Sequence, residues 1–478
     1  MLHARPLLLL CSLLLSAPAI HAERLRSTLN DQKEVAVTIY NSDLALVKDQ
    51  RKIALKGGTF DLAFRDVSAL MRPETALLRS VSAPGKLSVV EQNFNFDLLT
   101  PQKMLEKYVG KTVTVVKTNP QTGAETRSQA QVLSANNGVV LKIGNRIETG
   151  FPGRIVFGDL PSNLYDRPTL EMTLHNNGAQ QQNVELSYLT GGLAWTADYV
   201  ANLNVDDSRL DLSGWVTLTN TSGATYRNAK LQLVAGDMNR VREVMAAGAP
   251  RPAMKRAAPA PSAAIAQESL LEYHLYTLER PTTIAENQTK QVALLAATNV
   301  PVKKELLLRG GDYYYRSSYG DLGQKMKLGV FVEFENKVSG NLGMPLPKGV
   351  IRVYKRDGSG NAQFVGEDRI DHTPRNERIR LKLGDAFDVT ADKKQTSFRK
   401  IDGDKKYNYT FESAYQIVLK NAKKEEVTVT VQEPMPGDWK ISDESHPHVK
   451  SASNTAIWQI KVPGESRTTL SYTATVRY

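Results

Sequence analysis

The residues best suited to acid–base chemistry lie in one short segment, GEDRIDHTPRNE. It places the carboxylates of Glu367, Asp368 and Glu377 near the imidazole of His372. A histidine oriented by a carboxylate can act as a general base, and paired carboxylates cleave glycosidic bonds. The same residue types also form charged hairpins, in which His372 and Thr373 would anchor a turn. We predict the turn, with the carboxylates facing solvent rather than the imidazole.

A second histidine-containing segment, DESHPHV, is the best candidate for a metal site. His446 and His448 could bind an ion together with Asp443 or Glu444. Two histidines in a proline-containing loop seldom bind a structural metal, so we predict no metal. The sequence also contains no HExxH, GxSxG or P-loop motif. The sequence therefore favours a non-enzymatic protein over an enzyme, and we expect no catalytic residue and no cofactor.

Aromatic side chains are the remaining candidates, because they stack on sugars and anchor protein partners. The segment RGGDYYYRSSYGDLG places four tyrosines in glycine-rich surroundings, as either an exposed surface or an edge strand. Strand alternation makes Trp195 a core residue and places Trp215 opposite the aliphatic row of its strand, at an interdomain seam or in a ligand groove. The predicted ligand or partner surface comprises Trp215, Tyr313, Tyr314, Tyr315, Tyr319, Glu367, Asp368 and His372.

The first residues predict an exported protein. MLHARPLLLLCSLLLSAPAIHAER has a basic start, an apolar run and small residues before a cut after Ala19 or Ala22, which is the layout of a secretory signal peptide over residues 1–22. No stretch approaches the length of a transmembrane helix, so we expect no transmembrane segment. Cys11 is the only cysteine, and its removal with the signal excludes disulfides and thiol chemistry from the mature chain.

The chain is basic, with a formal net charge of +11 at pH 7. In an exported protein, this excess favours binding to anionic envelope glycans or lipid headgroups, or simple solubility, over binding to nucleic acid. Three lysine pairs lie in polar, turn-like stretches: Lys393-Lys394, Lys405-Lys406 and Lys423-Lys424. We predict these lysines to be solvated.

The N-terminal part, residues 23–160, has the pattern of short strands with one helix. Gly57-Gly58 and Asn136-Asn137-Gly138 are typical hairpin turns. TPQKMLEKYVG predicts a helix over 101–109, with Thr100 as the cap and Pro101 in the first turn. One helix followed by four or five short strands favours a small SH3-like barrel.

A weak internal repeat marks the rest of the chain. LEMTLHNNG, WVTLTNTSG, VFVEFENKVSG and YQIVLKNAKK are alternating strands that each stop at an asparagine. Asparagine suits a strand end because it tolerates the left-handed region and bonds its own backbone. The repeat predicts two immunoglobulin-like β-sandwiches, at 161–325 and 326–478. Residues 244–269, rich in alanine and proline, predict a disordered insertion in the first sandwich.

Several ordered motifs resemble one bacterial family, the domain of unknown function 4139 family, which is related to the mucoidy-inhibitor A proteins. They include YLTGGLAWTADYVANLNV, EYHLYTLERPTTIAENQ, GMPLPKGVIRVYKRD, FVGEDRIDHTP and LGDAFDV. The likeness covers roughly residues 160–478, and VTIYNSDLALVKDQR resembles the preceding region. It implies an all-β secreted protein with no agreed activity. This chain lacks the long helical region of the mucoidy-inhibitor A proteins, so their partners are not carried over.

These features together predict a periplasmic or extracellular, non-enzymatic protein of the bacterial envelope. We expect it to bind a protein partner or an anionic glycan. The alternative is a hydrolase or lyase that acts on envelope polysaccharide, which the basic charge and the 366–377 cluster favour. Fold class alone does not separate the two.

Overall fold

The computed structural model describes residues 24–478, except 42, 96–98, 137, 162–163, 237–238, 240–264 and 403–405. The predicted signal peptide and most of the predicted insertion lie outside the described residues. The end of that insertion does not follow the prediction, because Ile265–Leu270 form a strand paired with Tyr273–Leu278. Among the described residues, no helix is long and apolar enough to cross a lipid bilayer.

The described chain is all-β, with one short α-helix, α1 (Pro101–Lys107). The strands up to the helix are β1 (Leu25–Ser27), β2 (Gln32–Tyr40), β3 (Leu44–Ala54), β4 (Gly58–Arg65), β5 (Leu77–Ser80) and β6 (Leu87–Asn95). Those after it, as far as residue 301, are β7 (Thr112–Thr118), β8 (Glu125–Ser134), β9 (Val140–Ile143), β10 (Arg146–Thr149), β11 (Arg154–Val156), β12 (Thr169–Asn176), β13 (Gln181–Thr190), β14 (Leu193–Leu203), β15 (Arg209–Asn220), β16 (Tyr226–Ala235), β17 (Ile265–Leu270), β18 (Tyr273–Leu278), β19 (Thr282–Ile284) and β20 (Gln288–Pro301).

The remaining strands are β21 (Lys303–Arg309), β22 (Asp321–Glu335), β23 (Gly349–Arg356), β24 (Ala362–Ile370), β25 (Arg378–Ile401), β26 (Thr410–Asn421), β27 (Val427–Pro434), β28 (Asp438–Glu444), β29 (Val449–Ala452), β30 (Thr455–Val462) and β31 (Ser466–Arg477). Short 3-10 turns occur at Leu29–Asp31, Pro73–Thr75, Asp312–Tyr315 and Val338–Gly340.

The first of two compact units comprises residues 24–35, Val47–Thr190 and Ser222–Ala224. It holds a four-stranded sheet, β1-β4-β12-β6, and a five-stranded sheet, β10-β9-β8-β7-β11. Strand β12 pairs along its length with both β4 and β6, so residues after 160 complete a sheet that the N-terminal part begins. This division differs from the boundary that the sequence suggests at residue 160.

The five-stranded sheet of this unit occupies the place of the predicted SH3-like barrel. Its described pairings run from β10 to β11 in an open sheet, not a closed barrel. Helix α1 begins as predicted, since the side chain of Thr100 accepts a hydrogen bond from the Lys103 backbone N–H at 3.1 Å. Tyr108, at its end, packs into the small core of this sheet, and its hydroxyl bonds the backbone of Asp159.

The second unit comprises Ala36–Leu46, Gly191–Thr221 and Thr225–Tyr478. Its five-stranded sheet has the order β20-β15-β14-β23-β24, and its nine-stranded sheet has the order β28-β31-β26-β25-β22-β21-β27-β30-β29. The suggested boundary at residue 325 falls inside β22. Several sheets with apolar inner faces give this unit the sandwich-like character predicted from the alternating strands.

The four asparagines that end the repeated strands are all buried: Asn176, Asn220, Asn336 and Asn421. None has a positive φ, so the predicted tolerance of the left-handed region is not the reason for their placement. Instead, the amide nitrogen of each donates to loop carbonyls, for example from Asn336 to Met344 (2.7 Å) and Pro374 (2.9 Å). Each side chain therefore satisfies buried backbone groups beyond its strand end.

Candidate functional site

The outer face of the five-stranded sheet in the second unit carries the first candidate residue, Trp215. Strand β15 alternates, with Leu212, Gly214 and Val216 buried and Trp215 half-buried on the opposite face. Trp195, on the neighbouring strand β14, is buried, as predicted. The alternation therefore assigns one tryptophan to the core and one to the outer face.

A chain of ion pairs crosses the same outer face. Asp198 on β14 lies directly opposite Trp215 in the strand register, and its Oδ1 atom accepts a hydrogen bond from Nη1 of Arg352 at 3.0 Å. The Nε atom of Arg352 lies 3.1 Å from Oε2 of Glu367 on β24. Thr217 also donates to Oδ2 of Asp198, at 2.8 Å. Three neighbouring strands thus present one ordered, partly exposed group of charges.

Two aromatic residues extend this face. Tyr354 and Phe364 are cross-strand partners whose ring centroids lie 5.6 Å apart in an edge-to-face arrangement. A bulge between these strands shifts the register, which returns Glu367 and Phe364 to the same face. Gly366 has φ of 149° and leaves no room for a Cβ atom against the carbonyl of Leu383 on β25. We call Trp215, Asp198, Arg352, Glu367, Tyr354 and Phe364 the sheet-face cluster.

Strand β25 forms a larger bulge a few residues beyond Leu383. In the register with β22, Lys327 pairs with Thr390 and Gly329 with Asp385, so four residues of β25 oppose one residue of β22. The bulge extrudes Phe387, whose exposed fraction is 93%. Its acidic neighbours are Asp385 and Asp388. Aromatic side chains are frequent anchors of protein interfaces, so the exposed Phe387 is a candidate anchor.

The predicted tyrosine surface is only partly exposed. Tyr313 is 52% exposed and contacts Tyr314 and Tyr319 edge to face. Tyr314 and Tyr315, however, are buried in the core of the nine-stranded sheet, so their assignment to a surface was wrong. The short 3-10 turn Asp312–Tyr315 rotates these two rings inward, which the glycine-rich surroundings did not reveal. Nearby, burial raises the pKa of Tyr415 to about 12.

His372 has the geometry of the predicted turn anchor. Its Nδ1 atom accepts a hydrogen bond from the Lys348 backbone N–H at 3.2 Å, and its Nε2 atom lies 3.3 Å from Nδ2 of Asn41. The neighbouring carboxylates bond elsewhere: Asp368 accepts from the Lys382 backbone N–H at 2.7 Å, and Glu367 pairs with Arg352. Of the sequence candidates, the structure therefore groups Trp215 with Glu367, and leaves His372 as a half-buried structural residue.

The side chains of the DESHPHV segment that could bind a metal are instead engaged in contacts within the protein. His448 Nδ1 lies 2.9 Å from Oε2 of Glu444, which also accepts the Trp458 indole N–H at 2.9 Å. The His448 ring lies between the rings of Trp439 and Trp458, at 5.7 and 5.9 Å. The described residues contain no group of three or more metal-binding side chains placed to hold an ion.

Sequence reasoning missed three important residues. Arg352 and Phe387 lie in two motifs on which the family resemblance rests, GVIRVYKRD and LGDAFDV. Within the second motif, the sequence DAFD places an aromatic residue between aspartates, a pattern that could have indicated an exposed Phe387. Lys393 was predicted to be solvated, yet its side chain is 1% exposed. Lys393 lies in the middle of β25, and adjacent residues of a strand point to opposite faces, so Lys393 points into the core and Lys394 points to solvent.

The comparisons with known proteins identify a family. A family model described as "Domain of unknown function (DUF4139)" matches residues 184–478, which is more than half of the chain. This range includes all of the sheet-face cluster and the β25 bulge. No curated protein matches the chain.

Proposed function

This chain belongs to the DUF4139 family, and we propose that it is an exported, non-enzymatic protein of the bacterial envelope that binds a protein partner. The N-terminal sequence supports export, because its basic start, apolar run and small residues follow the signal-peptide layout. Mature protein would then reside in the periplasm or outside the cell. The all-β scaffold supplies rigid strands on which a binding surface can be held.

The exposure of Phe387 is the single observation that carries the proposal. A phenylalanine side chain that is 93% exposed buries little apolar surface, so it contributes little to the stability of the free protein. The bulge of β25 opposite β22 holds the side chain in this exposed position. Phe364 is also 55% exposed, on β24, which contacts β25 beside the bulge. Aromatic anchors that enter pockets of a partner supply much of the affinity of protein interfaces.

Charge favours a protein over an anionic glycan as the partner. The carboxylates of Asp385 and Asp388 flank Phe387, and both Asp198 and Glu367 accompany Arg352 on the sheet face. Arg352 is therefore already paired with two carboxylates, and Lys382 lies 3.6 Å from Asp385, so both of these cations already have anionic partners within the chain.

The hydrolase or lyase alternative has less support. A general base needs a reachable proton and an orienting partner. His372 instead accepts a backbone N–H through Nδ1, and its neighbouring carboxylates bond to Arg352 and to the Lys382 backbone. The aromatic and charged residues that do gather lie on an open sheet face.

Site-specific photo-crosslinking in the native bacterium tests the proposal. A photoreactive phenylalanine analogue would replace Phe387 or Phe364 in the full chain, with Ile147 as the control position because it is 66% exposed in the first unit. We expect a discrete, protease-sensitive adduct from positions 387 and 364, in the periplasmic or extracellular fraction, and none from 147. Absence of an adduct at both positions, or an adduct that only polysaccharide-degrading treatment removes, would overturn the proposal.

A further inference from the structure

A lysine and a glutamate face each other inside the core of the nine-stranded sheet. The Nζ atom of Lys393 lies 2.6 Å from Oε1 of Glu433, and their side chains are 1% and 0% exposed. Lys393 belongs to β25 and Glu433 to β27, which are separated in the sheet order by β22 and β21. The pair therefore joins two strands that share no backbone hydrogen bonds.

Aromatic rings and hydroxyls enclose this pair. Nζ of Lys393 lies 4.3 Å from the ring centroid of Tyr314 and 5.2 Å from that of Tyr415. The Tyr315 hydroxyl donates to Oε2 of Glu433 at 3.0 Å and lies 2.9 Å from the hydroxyl of Tyr472. Each oxygen of the carboxylate thus has a different partner, an amine on Oε1 and a phenol on Oε2.

Backbone packing also holds the carboxylate in place. A Cβ atom at Gly310 would overlap the Glu433 carboxylate, so only glycine leaves room for it there. The surrounding core is almost entirely apolar and aromatic, including Trp458, Val431 and Leu308. The amine and the carboxyl group are consequently fixed against each other with water excluded, the arrangement that gives intramolecular reactions their high effective molarity.

The same burial disfavours the charged form of the Lys393 amine. Desolvation lowers the pKa of Lys393, although the charge of Glu433 opposes this effect. Taking two ions out of water costs free energy that their mutual attraction often fails to offset. Transfer of one proton from the ammonium to the carboxylate removes both charges and leaves a neutral amine beside a carboxylic acid.

We propose that Lys393 and Glu433 condense to form an intramolecular amide bond. The lone pair of Nζ attacks Cδ of Glu433, a C–N bond forms, and the C–Oε2 bond breaks. The leaving oxygen departs as water, with its protons supplied by the acid and the amine through the Tyr315 hydroxyl. An ammonium and a carboxylate thereby become an amide and one water molecule, so the reaction needs no oxidant, metal or cofactor.

Such a bond would give the exported chain an internal covalent cross-link, which a chain with one cysteine cannot form as a disulfide. Cys11 is the only cysteine, so the chain can form no internal disulfide. A cross-link between distant positions stabilises a fold mainly by restricting the unfolded chain, and the effect grows with the length of the closed loop. The amide would close the loop from β25 to β27 and fix the two sides of the core to each other.

Mass spectrometry of the purified, fully denatured protein tests this proposal. We expect a mass lower by one water molecule than the mature sequence requires, and one tryptic species in which the peptides containing Lys393 and Glu433 are joined. Lys420→Met removes a partly exposed lysine that pairs with Asp392, and should keep the mass deficit. Full sequence mass in folded wild-type protein, with the two peptides recovered separately, would overturn the proposal.

Two variants separate the chemistry from general misfolding. Lys393→Met should restore the full sequence mass and abolish the joined species. Tyr315→Phe keeps the ring and removes only the hydroxyl that bonds Glu433, so a folded Tyr315→Phe protein should form the joined species more slowly. If Tyr315→Phe forms it at the wild-type rate, the assigned role of the Tyr315 hydroxyl is wrong, while the wild-type mass still decides whether the bond exists.

Discussion

The Nη1 atom of Arg352 lies 3.0 Å from Oδ1 of Asp198 on the outer face of the five-stranded sheet. The side chains are 33% and 26% exposed, so solvent screens the pair. Arg352 also reaches Glu367, which fixes its guanidinium between two carboxylates on neighbouring strands. We interpret this arrangement as ordering the surface around Trp215, with a small contribution to stability.

Replacement of Arg352 should therefore affect binding far more than folding. We expect Arg352→Met to lower the free energy of unfolding by less than about 1 kcal/mol, because exposed ion pairs contribute little. Urea denaturation measures this change. The control is Arg399→Met, which breaks a comparable exposed pair with Glu412 and should leave binding intact. A loss of several kcal/mol from Arg352→Met would show that the pair is structural.

The two tryptophans of neighbouring strands should respond differently to truncation. Trp195 is 5% exposed, so Trp195→Ala should cost about 3–5 kcal/mol of stability, as expected for a core aromatic. Trp215→Ala should cost clearly less, because Trp215 is half-buried on the opposite face. The Trp195 indole N–H finds no acceptor among the described residues, so Trp195→Phe should be milder than Trp195→Ala. Equal losses for both alanine variants would contradict the assigned faces.

The buried asparagines at the strand ends should be important for stability. The Asn421 amide donates to Glu425, Val462 and Pro463 carbonyls at 2.8–3.2 Å. Removal of that amide leaves buried acceptors without partners, so Asn421→Ala should cost about 1–3 kcal/mol. Asn454→Ala, at an exposed asparagine, is the matched control and should change thermal stability little. A neutral Asn421→Ala would refute the role we give to these residues.

Alkaline pH should unfold the protein through its buried tyrosines. Burial raises the pKa of Tyr415 to about 12 and that of Tyr199 and Tyr472 well above the usual 10.0. Because the unfolded chain ionises first, the stability from the neutral tyrosines is complete below about pH 10 and is lost as pH rises towards their folded pKa values. Near-ultraviolet absorbance should show tyrosinate from these buried rings only as circular dichroism reports unfolding. Complete ionisation of the folded protein would be inconsistent with this account.

The local sequence pattern predicted those structural features that depend on strand alternation and on the residues of turns and helix caps. The inward face of Trp195, the Thr100 cap and the strand ends at the buried asparagines are features of this kind. Patterns could not predict features that depend on distant segments. Lys393 is buried because β27 brings Glu433 to it, forty positions later in the chain.

The tyrosines and the bulge show the same limit. Tyr314 and Tyr315 appeared exposed from their glycine-rich neighbours, but strands β26 and β31 supply rings that pack against Tyr315 and bond its hydroxyl. Phe387 has the alternation of an ordinary strand residue, and only the pairing of β25 with β22 reveals the bulge. The charged residues of the sheet-face cluster likewise lie on three separate strands, so no local sequence motif could predict the cluster.

The dissociation constant of the complex with the cross-linked partner, measured for matched surface variants, tests the central claim most directly. We predict that Phe387→Ala weakens binding about tenfold or more, as loss of an interface anchor does, with an unchanged melting temperature. Ile147→Ala, which removes a similarly exposed apolar side chain from the first unit, should leave the dissociation constant within about twofold. Equal affinity of Phe387→Ala and wild type would contradict the assignment of this surface as the binding site.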